Sequence, residues 1–569
     1  LGTFSLLSNS SVPNRRWSTA WRLLRSGEYQ EFFSRFRKFI IHSTSVKNEL
    51  EYTQWRQKWV DLNEETRLQL KNNMELFSST PNFTLILDAS DWNEFSLFET
   101  IDSVIHQLYP NWVIQVVDQS ELNSTLSKKI DELEDNRIKI TRFSSVETSD
   151  WVTKLPPMTR LHEAALLSMV SSINNDPKIM LLYTDHDHLD TEGNFCDPHM
   201  KPGWNHDLFA SINYLDPFVV LKKELWLSIK DKPSDQHFFL SQAVDSLSPS
   251  EICHIPQVLA SVEIKNDGTH LEPSCRRTTY EIPNPAPTVS ILIPTRDRGK
   301  MLERCLNSIY EITDYPNFEI VLVDHETSEV SALNVIKTFE KFENLKVLNF
   351  EGNFNFSKIM NKAAEASEGH VLISLNNDTE IVDAGWLTEL VAQVSRVDVG
   401  VVGALLLFKD RTIQHAGIHP GEGGLMGHGH KHLPEGSGGY FNRLNAVHEV
   451  AAVTGACMAV KRSTWFELGG LDEENLTVAY NDVDLCLKAR KHGLKVIFTP
   501  YAKVVHHESV SRGVDDNPET NERLRKELET MNSRWGEALI EDPAYSPNLS
   551  YDGGSFMLSE KPRSKNLFK

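Results

Sequence analysis

The feature that most constrains this chain is an internal repeat. A Tyr-Pro-Asn-aromatic tetrapeptide leads into a short apolar run that ends in Asp at 109–118 and again at 315–324, with the same spacing from Tyr to Asp. A pair of basic residues followed by Trp recurs in the same way at 222–226 and 461–465. Two copies of one folding unit are the simplest interpretation of this self-similarity.

Short apolar runs alternate with amphipathic stretches in both copies, which favours parallel sheets covered by helices. We therefore predict an α/β protein with two tandem Rossmann-like domains. The predicted strands are 83–87, 113–117, 289–293, 320–323, 371–375, 496–498 and 504–505, and the predicted helices are 95–108, 301–312 and 519–539.

Composition breaks suggest where the units begin and end. Asn266-Asp267-Gly268 and the prolines at 283, 285 and 287 interrupt any regular element between the two copies. The predicted organisation is a helical N-terminal arm at 1–80, a first domain at 81–264, a linker at 265–287, a second domain at 288–515, and a C-terminal helix and tail at 516–569.

Charge and apolar content exclude some classes of function. The 58 Lys and Arg residues against 79 Asp and Glu residues leave a net charge of −21, which argues against nucleic-acid binding. The apolar run at 401–408 is far shorter than the ~20 residues that span a bilayer. The start lacks the pattern of a signal peptide, and the six cysteines include no C-x-x-C pair, so we expect a cytoplasmic location.

The N-terminal arm is locally basic, with seven Arg or Lys residues and two Glu residues between positions 15 and 38. A basic amphipathic stretch can lie on an anionic membrane surface, here the inner face of the cell membrane. The alternative is a helical arm that packs on the next domain, with its arginine stems covering apolar surface.

In the second copy, polar residues follow several predicted strands. The strand at 289–293 leads into Thr295, Arg296 and Asp297, and the neighbouring strand ends at Asp324. Ligands bind at this carboxyl edge in open α/β sheets. The run at 371–375 is followed by Asn376-Asn377-Asp378, whose amide and carboxylate oxygens suit Mg²⁺ or Mn²⁺ and, through the cation, a diphosphate. A polar turn at a strand end is the alternative interpretation.

Two later segments add candidate catalytic groups. The acidic pair Asp482 and Asp484 opens a helix-like run, where one carboxylate can act on a substrate and the other can cap or support the helix. Simple helix capping is the alternative. His506 and His507 follow the strand-like Val504-Val505 and can complete a cation site, or they can be solvated loop residues.

A histidine-rich loop, 427–432, carries His428, His430 and His432 at alternate positions. In an extended segment these side chains would project to one face, as zinc ligands do. The other interpretations are a loop that contacts a substrate and an ordinary surface loop.

Taken together, these segments form a pattern. The residues that carry it are VSILIPTRDR (289–298), YPNFEIVLVD (315–324), FNFSKIMNKA (354–363), ISLNNDTEI (373–381), AVTGACMAVKR (452–462), GGLDEENLTVAYNDVDLCLKAR (469–490), TPYAKVVHHESVSRG (499–513) and RWGEALIEDPAYSPNLS (534–550). The second copy resembles the family-2 glycosyltransferases of the GT-A fold, notably the bacterial polysaccharide and rhamnosyltransferase-like members. The first copy resembles them too, as a tandem GT-A domain.

The resemblance implies an inverting, metal-dependent transfer of a sugar from a UDP-, dTDP- or GDP-linked donor to a glycan or lipid-linked acceptor, with Mn²⁺ or Mg²⁺ as cofactor. Asp482 would be the catalytic base, and Asn376 stands where the family has the first Asp of its D-x-D motif. The resemblance implies that the metal ligands are Asp378 with His506 or His507. The implied donor-binding residues are Thr295, Asp297, Asp324, Asn376, Asn377, Asp378 and Arg512. The implied acceptor-side residues are His428, His430, Asn481 and Asp484.

The first copy has lost the corresponding chemistry. Asp185-His186-Asp187 looks like a D-x-D, but in related tandem chains this segment follows the metal motif by some two dozen residues. The motif position falls at 155–159, where Pro156 and Pro157 stand and no carboxylate does. We therefore expect Asp185 and Asp187 to be structural or acceptor-side, and the first domain to be non-catalytic.

Two other functions are compatible with parts of this pattern. A nucleotidyltransferase also joins a nucleotide-binding α/β sheet to a metal carboxylate, although residues 295–300 only weakly resemble its basic, glycine-rich loop. A carbohydrate-binding scaffold without turnover would follow if Asn376 marks a loss of metal binding in both domains.

Overall fold

The computed structural model describes residues 52–89, 94–118, 124–142, 146, 149–156, 158–229, 235–264, 274–421, 426–507, 518–551 and 556–564. The basic arm at 15–38 and Arg512 lie outside the described residues.

The regular elements have the following bounds. The strands are β1 Phe83–Asp88, β2 Trp112–Val117, β3 Ile138–Thr141, β4 Trp151–Lys154, β5 Thr159–Leu161, β6 Leu181–Leu189, β7 Phe195–His199, β8 Val219–Lys222, β9 Ile252–Glu263, β10 Val289–Thr295, β11 Phe318–His325, β12 Leu345–Phe350, β13 Val371–Leu375, β14 Thr379–Ile381, β15 Val399–Leu407, β16 Ile413–His415, β17 Ile418–Pro420, β18 Met426–His428, β19 His448–Glu449, β20 Cys457–Lys461 and β21 Lys495–His506. The helices are α1 Glu64–Asn73, α2 Glu94–Ile105, α3 Ser124–Asp131, α4 Ala165–Asn175, α5 His206–Ser211, α6 Lys223–Ser228, α7 Gln236–Val244, α8 Gly299–Ile312, α9 Val330–Phe339, α10 Phe356–Ala366, α11 Trp386–Val394, α12 Arg462–Glu467, α13 Asn481–Lys491 and α14 Pro518–Trp535.

Two large sheets have the same strand order. The first runs β3-β2-β1-β4-β8-β6-β9-β5, with β7 beside β6, and the second runs β12-β11-β10-β13-β20-β15-β21-β14, with β16 beside β15. Each strand of the first path has its counterpart at the same place in the second. The prediction of two α/β domains of one type is therefore confirmed.

The sheets are mixed, whereas the alternation of strands and helices suggested parallel ones. Strands β1, β2 and β4 run parallel, as do β10, β11 and β13, but β8 and β20 are antiparallel to their neighbours. The direction of β20 escaped sequence reasoning because a long connection, 408–456, precedes it. The spacing of apolar residues within a strand does not show whether the strand after such a connection runs parallel or antiparallel to its neighbours.

A second correction concerns the strand that ends at the candidate metal site. The sequence predicted separate strands at 496–498 and 504–505, but β21 is continuous from Lys495 to His506. The register with β15 shifts between Ala404, which pairs with Thr499, and Leu405, which pairs with Lys503. This bulge accommodates Pro500, which has no N–H to give to the ladder.

The core beneath the second sheet follows from the spacing of apolar residues. On α8, Leu302, Cys305, Leu306 and Ile309 lie three or four positions apart and are all buried against the sheet. The carboxyl ends of β10, β11 and β13 are thereby held on a rigid layer.

The first domain, the segment before it and the C-terminal tail share an apolar cluster, which we call the junction cluster, and Tyr440 of the second domain packs against it. Asp207 of the first domain also pairs with Arg396 at 2.6 Å and Lys495 at 3.3 Å in the second. The predicted linker contains no helix or strand over its described part, 274–287. No helix within the described ranges is long and apolar enough to cross a membrane. The junction cluster consists of Tyr52, Val60, Met200, Val258, Tyr545, Leu549 and Phe556, with Tyr440 packed against it.

Candidate active site

The ends of three adjacent strands bring the predicted donor residues to one edge of the second sheet. Thr295, the last residue of β10, is the register partner of Asp324 on β11. Asn377, just after β13, donates a hydrogen bond from Nδ2 to the Thr295 hydroxyl at 2.9 Å. The edge is therefore continuous from Asp324 to the Asn-Asn-Asp segment.

Asp378 and His506 form the centre of this edge. Asp378 is 3% exposed, and its Oδ1 lies 3.0 Å from Nε2 of His506. The pair exists because β14 runs antiparallel to β21, with Thr379 opposite His506. Nδ2 of Asn376 is 3.3 Å from the same imidazole nitrogen. Two positions of the predicted metal motif thus face one histidine.

Gln414 fixes the orientation of that histidine. Its Nε2 points to the backbone carbonyl of His506 at 3.4 Å, so its Oε1 accepts the hydrogen of His506 Nδ1 at 2.8 Å. In this tautomer the Nε2 of a neutral His506 carries a lone pair towards the Asp378 carboxylate. Sequence reasoning missed Gln414 because 92 residues separate it from His506.

His507 points away from this centre. It follows the last residue of β21, and its Nε2 contacts Glu380 Oε2 at 2.8 Å and lies 3.3 Å from Arg304. Of the two histidines that the sequence left as alternatives, His506 is the one placed beside Asp378.

Asp297 and Asp324 organise the loops at the donor end of the edge. Oδ1 of Asp297 accepts the backbone N–H groups of Ser328 and Glu329 at 2.7 and 2.8 Å. The hydrogen bonds from Glu329 and Ser328 lower the pKa of Asp297, so it is a carboxylate at neutral pH. Asp324 accepts the N–H of Thr327 at 3.1 Å. Both carboxylates therefore shape the loop between β11 and α9.

Asp482 stands beside the same edge, at the start of α13. Its Oδ2 accepts the N–H of Gly455 at 2.8 Å, and its Oδ1 accepts the N–H of Val483 at 2.8 Å. The carbonyl of Gly455 in turn accepts the hydroxyl hydrogen of Ser374 at 2.6 Å. Ser374 lies two positions before Asn376, so Asp482 is held next to the end of β13.

Asp484 does not share that position. It is fully buried, and Oδ1 accepts hydrogen bonds from Arg534 at 2.7 Å and from the Trp535 indole at 2.8 Å. Nζ of Lys488 lies 2.9 Å from Oδ2. These partners fasten α14 to α13 and engage both carboxylate oxygens of Asp484, whose acceptor-side role stays a prediction. Asn481 is also buried, with Nδ2 donating to the carbonyl of Val478.

Glu527 is a second residue that sequence reasoning missed. It is 2% exposed and accepts hydrogen bonds from the Thr477 hydroxyl and from the N–H groups of Val478 and Ala479 at 3.0, 2.9 and 3.3 Å. The segment it holds leads directly into Tyr480, whose φ of 60° is left-handed, and then into the turn of Asp482. No local pattern in α14 marks Glu527 as a partner of that segment.

The histidines of 427–432 diverge and do not form a shared site. Nδ1 of His428 is 2.8 Å from Nδ1 of His415, His430 accepts the N–H of Tyr440 at 3.0 Å, and His432 stacks on Phe408. Positive φ angles at His430 and His432 break the extended backbone that would have aligned them. Across the described residues there is no group of three or more His, Cys, Asp or Glu side chains arranged to hold a metal.

The first sheet has the same strand order as the second, so the residues at its corresponding edge can be compared with those around Asp378. β5 and β14 occupy equivalent places, and both begin at a threonine, Thr159 or Thr379. The cross-strand partner of Thr159 is Val262, whereas that of Thr379 is His506. The first domain therefore has Pro156, Met158 and Val262 at the positions of Asn376, Asp378 and His506.

Asp185 and Asp187 are anchors for both ends of the described chain. They are fully buried on β6, where carboxylates need hydrogen-bonding partners to offset desolvation. Burial raises the pKa of the Asp187 carboxyl, while Arg56 opposes that shift. The partners of Asp185 are Lys201 N–H, His254 and Asn548, and those of Asp187 are Tyr52, Arg56 and Ser261.

Comparison with known proteins agrees with the motifs. Residues 290–462 match the family model "Glycosyl transferase family 2". The chain therefore contains a domain of this family, as its sequence pattern predicted. The match covers the strand ends that carry Thr295, Asp324 and Asp378 and stops before Asp482 and His506.

Two relatives cover most of the chain. The uncharacterized protein y4gI of Sinorhizobium fredii is 34% identical over 84% of this chain and 59% of its own length. The O-antigen biosynthesis protein RfbC of Myxococcus xanthus is 30% identical over 78% of this chain and 39% of its own length. The chain thus spans only about two fifths to three fifths of the length of these relatives.

A solved structure of GalNAc-T7 with UDP, GalNAc and Mn²⁺ is 20% identical, covers 45% of this chain and 50% of that chain, and has a TM-score of 0.36.

Proposed function

We propose that the second domain is an inverting, metal-dependent glycosyltransferase that moves a sugar from a nucleotide-sugar donor to a glycan or lipid-linked acceptor in surface polysaccharide synthesis. The observation that carries this proposal is the assembly of Asp378, His506 and Asp482 at the end of β13. The family-2 domain and the name of the Myxococcus xanthus relative support it.

In the proposed reaction, Asp482 takes the proton of the acceptor hydroxyl as that oxygen attacks the anomeric carbon of the donor. One direct displacement inverts the anomeric configuration, and the nucleoside diphosphate leaves with the electrons of the broken bond. The N–H groups of Gly455 and Val483 orient the two carboxylate oxygens of Asp482. A base so held meets the first requirement of general-base catalysis, a fixed position near the proton.

Asp378 and His506 fit a divalent cation. A carboxylate oxygen and an imidazole nitrogen, both acceptors, face each other at 3.0 Å. Gln414 holds the other imidazole nitrogen, as outer partners of metal-binding histidines do. When bound, Mn²⁺ or Mg²⁺ would supply positive charge to the departing diphosphate. Diphosphate oxygens and water would complete its ligands, which is typical of Mg²⁺ sites.

The experiment that tests the proposal is a donor screen. The full chain is incubated with UDP-, dTDP- and GDP-sugars and Mn²⁺ or Mg²⁺, with glycan and lipid-linked acceptors, and the release of nucleoside diphosphate is measured. We expect release with one donor class, and its loss in Asp378→Asn. Release of pyrophosphate would instead indicate a nucleotidyltransferase. Metal-dependent UDP binding without release from any donor would indicate a carbohydrate-binding scaffold.

We also propose that the first domain is non-catalytic, so that each chain has one donor site. Calorimetric titration of UDP with Mn²⁺ should give a stoichiometry near one, and Asp378→Asn should remove the binding. Asp185→Asn should leave the stoichiometry unchanged; an amide suits this position better than alanine because Asp185 is fully buried. A stoichiometry of two would show that the first domain binds a donor as well.

Peripheral membrane contact through the basic arm at 15–38 is a separate part of the proposal. Electrostatic attraction to anionic lipid is screened over ~10 Å at 0.1 M salt. Co-sedimentation with phosphatidylserine liposomes should therefore fall as salt rises, and deletion of residues 1–40 should abolish it. Equal sedimentation of the full and shortened chains would exclude the arm as the contact.

A further inference from the structure

One loop of the second domain reaches from the candidate active site to the first domain. We call residues 426–445 the His428 loop. At its start, Nδ1 of His428 lies 2.8 Å from Nδ1 of His415, which follows Gln414 in β16. Gln414 is the residue that orients His506. The beginning of the loop therefore contacts β16, the strand that carries Gln414.

The far end of the loop rests on the first domain. The ring of Phe441 stacks on His199 with centroids 3.6 Å apart and planes 8° from parallel. The N–H of Met200 donates a hydrogen bond to the Tyr440 hydroxyl at 2.8 Å. Burial lowers the pKa of His199 well below its ordinary value, so the ring is neutral and stacks as an aromatic group.

The backbone at this end is strained. Phe441 and Asn442 have φ angles of 45° and 64°. Left-handed φ values are costly for non-glycine residues and persist when surrounding contacts impose them. Phe441 has such a contact from another domain, the ring of His199, and the neighbouring Tyr440 is bound by Met200. Without them we expect the segment to relax to ordinary φ values.

The C-terminal tail closes the loop from a third side. Phe556 stacks on His430 at 4.2 Å and on Tyr440 at 4.9 Å. His430 accepts the backbone N–H of Tyr440 at 3.0 Å, which joins the two parts of the loop. First domain, loop and tail therefore share one continuous aromatic stack at the junction cluster.

We infer that the first domain acts as a positioning element for the acceptor side of the second domain, with His199 as the positioning residue. This inference rests on the proposed function. By holding Phe441 and Tyr440, the first domain sets the place of the His428 loop against β16, the strand whose Gln414 orients His506. Donor and metal residues lie on the second sheet itself, so donor binding does not depend on this contact. In this proposal the role of the non-catalytic first domain is to hold the His428 loop in place.

The test uses His199→Ala, His199→Phe and Tyr440→Phe in the full chain, with Asp235→Asn as the control. His199→Ala removes the ring stacked on Phe441, His199→Phe retains a ring there, and Tyr440→Phe removes only the hydroxyl bound by Met200. Asp235 pairs with Arg276 at the exposed surface of the first domain and caps α7, which asparagine also does. Hydrogen exchange is measured for peptides covering 426–445 and 373–381, together with calorimetric binding of UDP with Mn²⁺.

We expect His199→Ala to accelerate exchange in 426–445 by about tenfold or more, since local opening becomes easier, while 373–381 and UDP binding stay as in the wild type. Tyr440→Phe should give a smaller increase, and His199→Phe should restore protection. With the donor from the screen, the acceptor KM should rise by about tenfold while hydrolysis of the donor by water is unchanged.

Unchanged exchange in 426–445 for both His199→Ala and Tyr440→Phe would overturn the inference, as would equal losses of UDP binding and of acceptor affinity. If His199→Ala fails to fold, Tyr440→Phe decides the question alone. If the wild type turns over no donor, the proposed function fails, yet the exchange measurement still shows whether the first domain holds the loop.

Discussion

The imidazole of His506 shows how single side chains prepare this edge. It is held from one side by Gln414 and faces Asp378 and Asn376 on the other. Asn376 stands where the family has the first carboxylate of D-x-D, so a cation bound here would have one negative charge fewer beside it. In the proposed site, Gln414 would offset part of that loss, because it holds the His506 imidazole in a fixed orientation.

The two histidines at the end of β21 should differ sharply in variants. His506→Ala should weaken Mn²⁺-dependent UDP binding, and Gln414→Leu should do so by about 10–100-fold, the range seen when an outer partner of a metal ligand is removed. His507→Ala is the matched control and should leave binding unchanged, because its imidazole is engaged by Glu380. Calorimetry with and without Mn²⁺ measures the difference. Weaker binding in His507→Ala than in His506→Ala would reverse the assignment.

Asp482 should be needed for transfer and not for donor binding. Asp482→Asn retains the shape and can keep one hydrogen bond from Gly455 or Val483, but an amide takes up no proton. We expect turnover to fall by about 10²–10⁴-fold, the usual contribution of a general base. The affinity for UDP with Mn²⁺ should remain that of the wild type. Retention of more than about a tenth of the turnover would rule out Asp482 as the base.

Among the helices, α14 holds α13 and the segment before it in place. Arg534 and Trp535 at its end bind Asp484, and Glu527 in its middle binds the backbone just before Tyr480. The left-handed φ at Tyr480 is maintained by this support. The helix after the second domain is therefore part of the machinery that presents Asp482.

Glu527→Gln tests that support. The glutamine amide keeps one acceptor but places N–H donors against backbone N–H groups, which should cost about 1–3 kcal/mol of stability. Turnover should fall as the segment before Asp482 loosens, with UDP binding retained. Glu529→Gln, on the same helix but exposed, is the control, since its pair with Arg525 is a surface one. Urea unfolding and the transfer assay measure both effects. Equal behaviour of the two variants would contradict the role of α14.

At the scale of the whole molecule, charged groups buried between the domains make stability depend on pH. Glu449 lies in β19 of the second domain, and its backbone carbonyl accepts a hydrogen bond from Asn205 of the first domain. Its carboxylate is 3.7 Å from Nζ of Lys495. Burial raises its pKa to about 7, and Lys495 opposes that shift. Asp207, Asp398 and Arg490 also act on this carboxyl.

The sign of the resulting effect follows from linkage. A carboxyl whose folded pKa is raised contributes stability below its unfolded pKa of 4.5 and loses it as pH rises through about 7. The melting temperature of Glu449→Gln minus that of the wild type should therefore increase between these two pH values and then level off. Thermal melts at several pH values measure this difference. A difference that stays constant over this interval would show that Glu449 is charged in the folded state.

The features of the fold that were predicted correctly from the sequence are local or repeated. The strand Val371–Leu375 was predicted with its observed bounds, and the Asn-Asn-Asp segment follows it at the carboxyl edge, because a strand end can be read from an apolar run and the residues that stop it. The shared order of the two sheets was predictable from the repeat alone, since equal patterns bury equal faces. The absence of carboxylates from residues 155–159 was equally visible along the chain.

Only the tertiary structure decided which side chains meet. His506 and Asn376 are 130 residues apart, Gln414 and His506 are 92 apart, and Glu527 and Val478 are 49 apart. Strand order and helix packing set such contacts, and neither leaves a periodic trace near the residues concerned. The choice of His506 over His507 as the neighbour of Asp378 has the same origin. Adjacent or nearby residues of one element face opposite sides, and the fold alone determines which side lines the site.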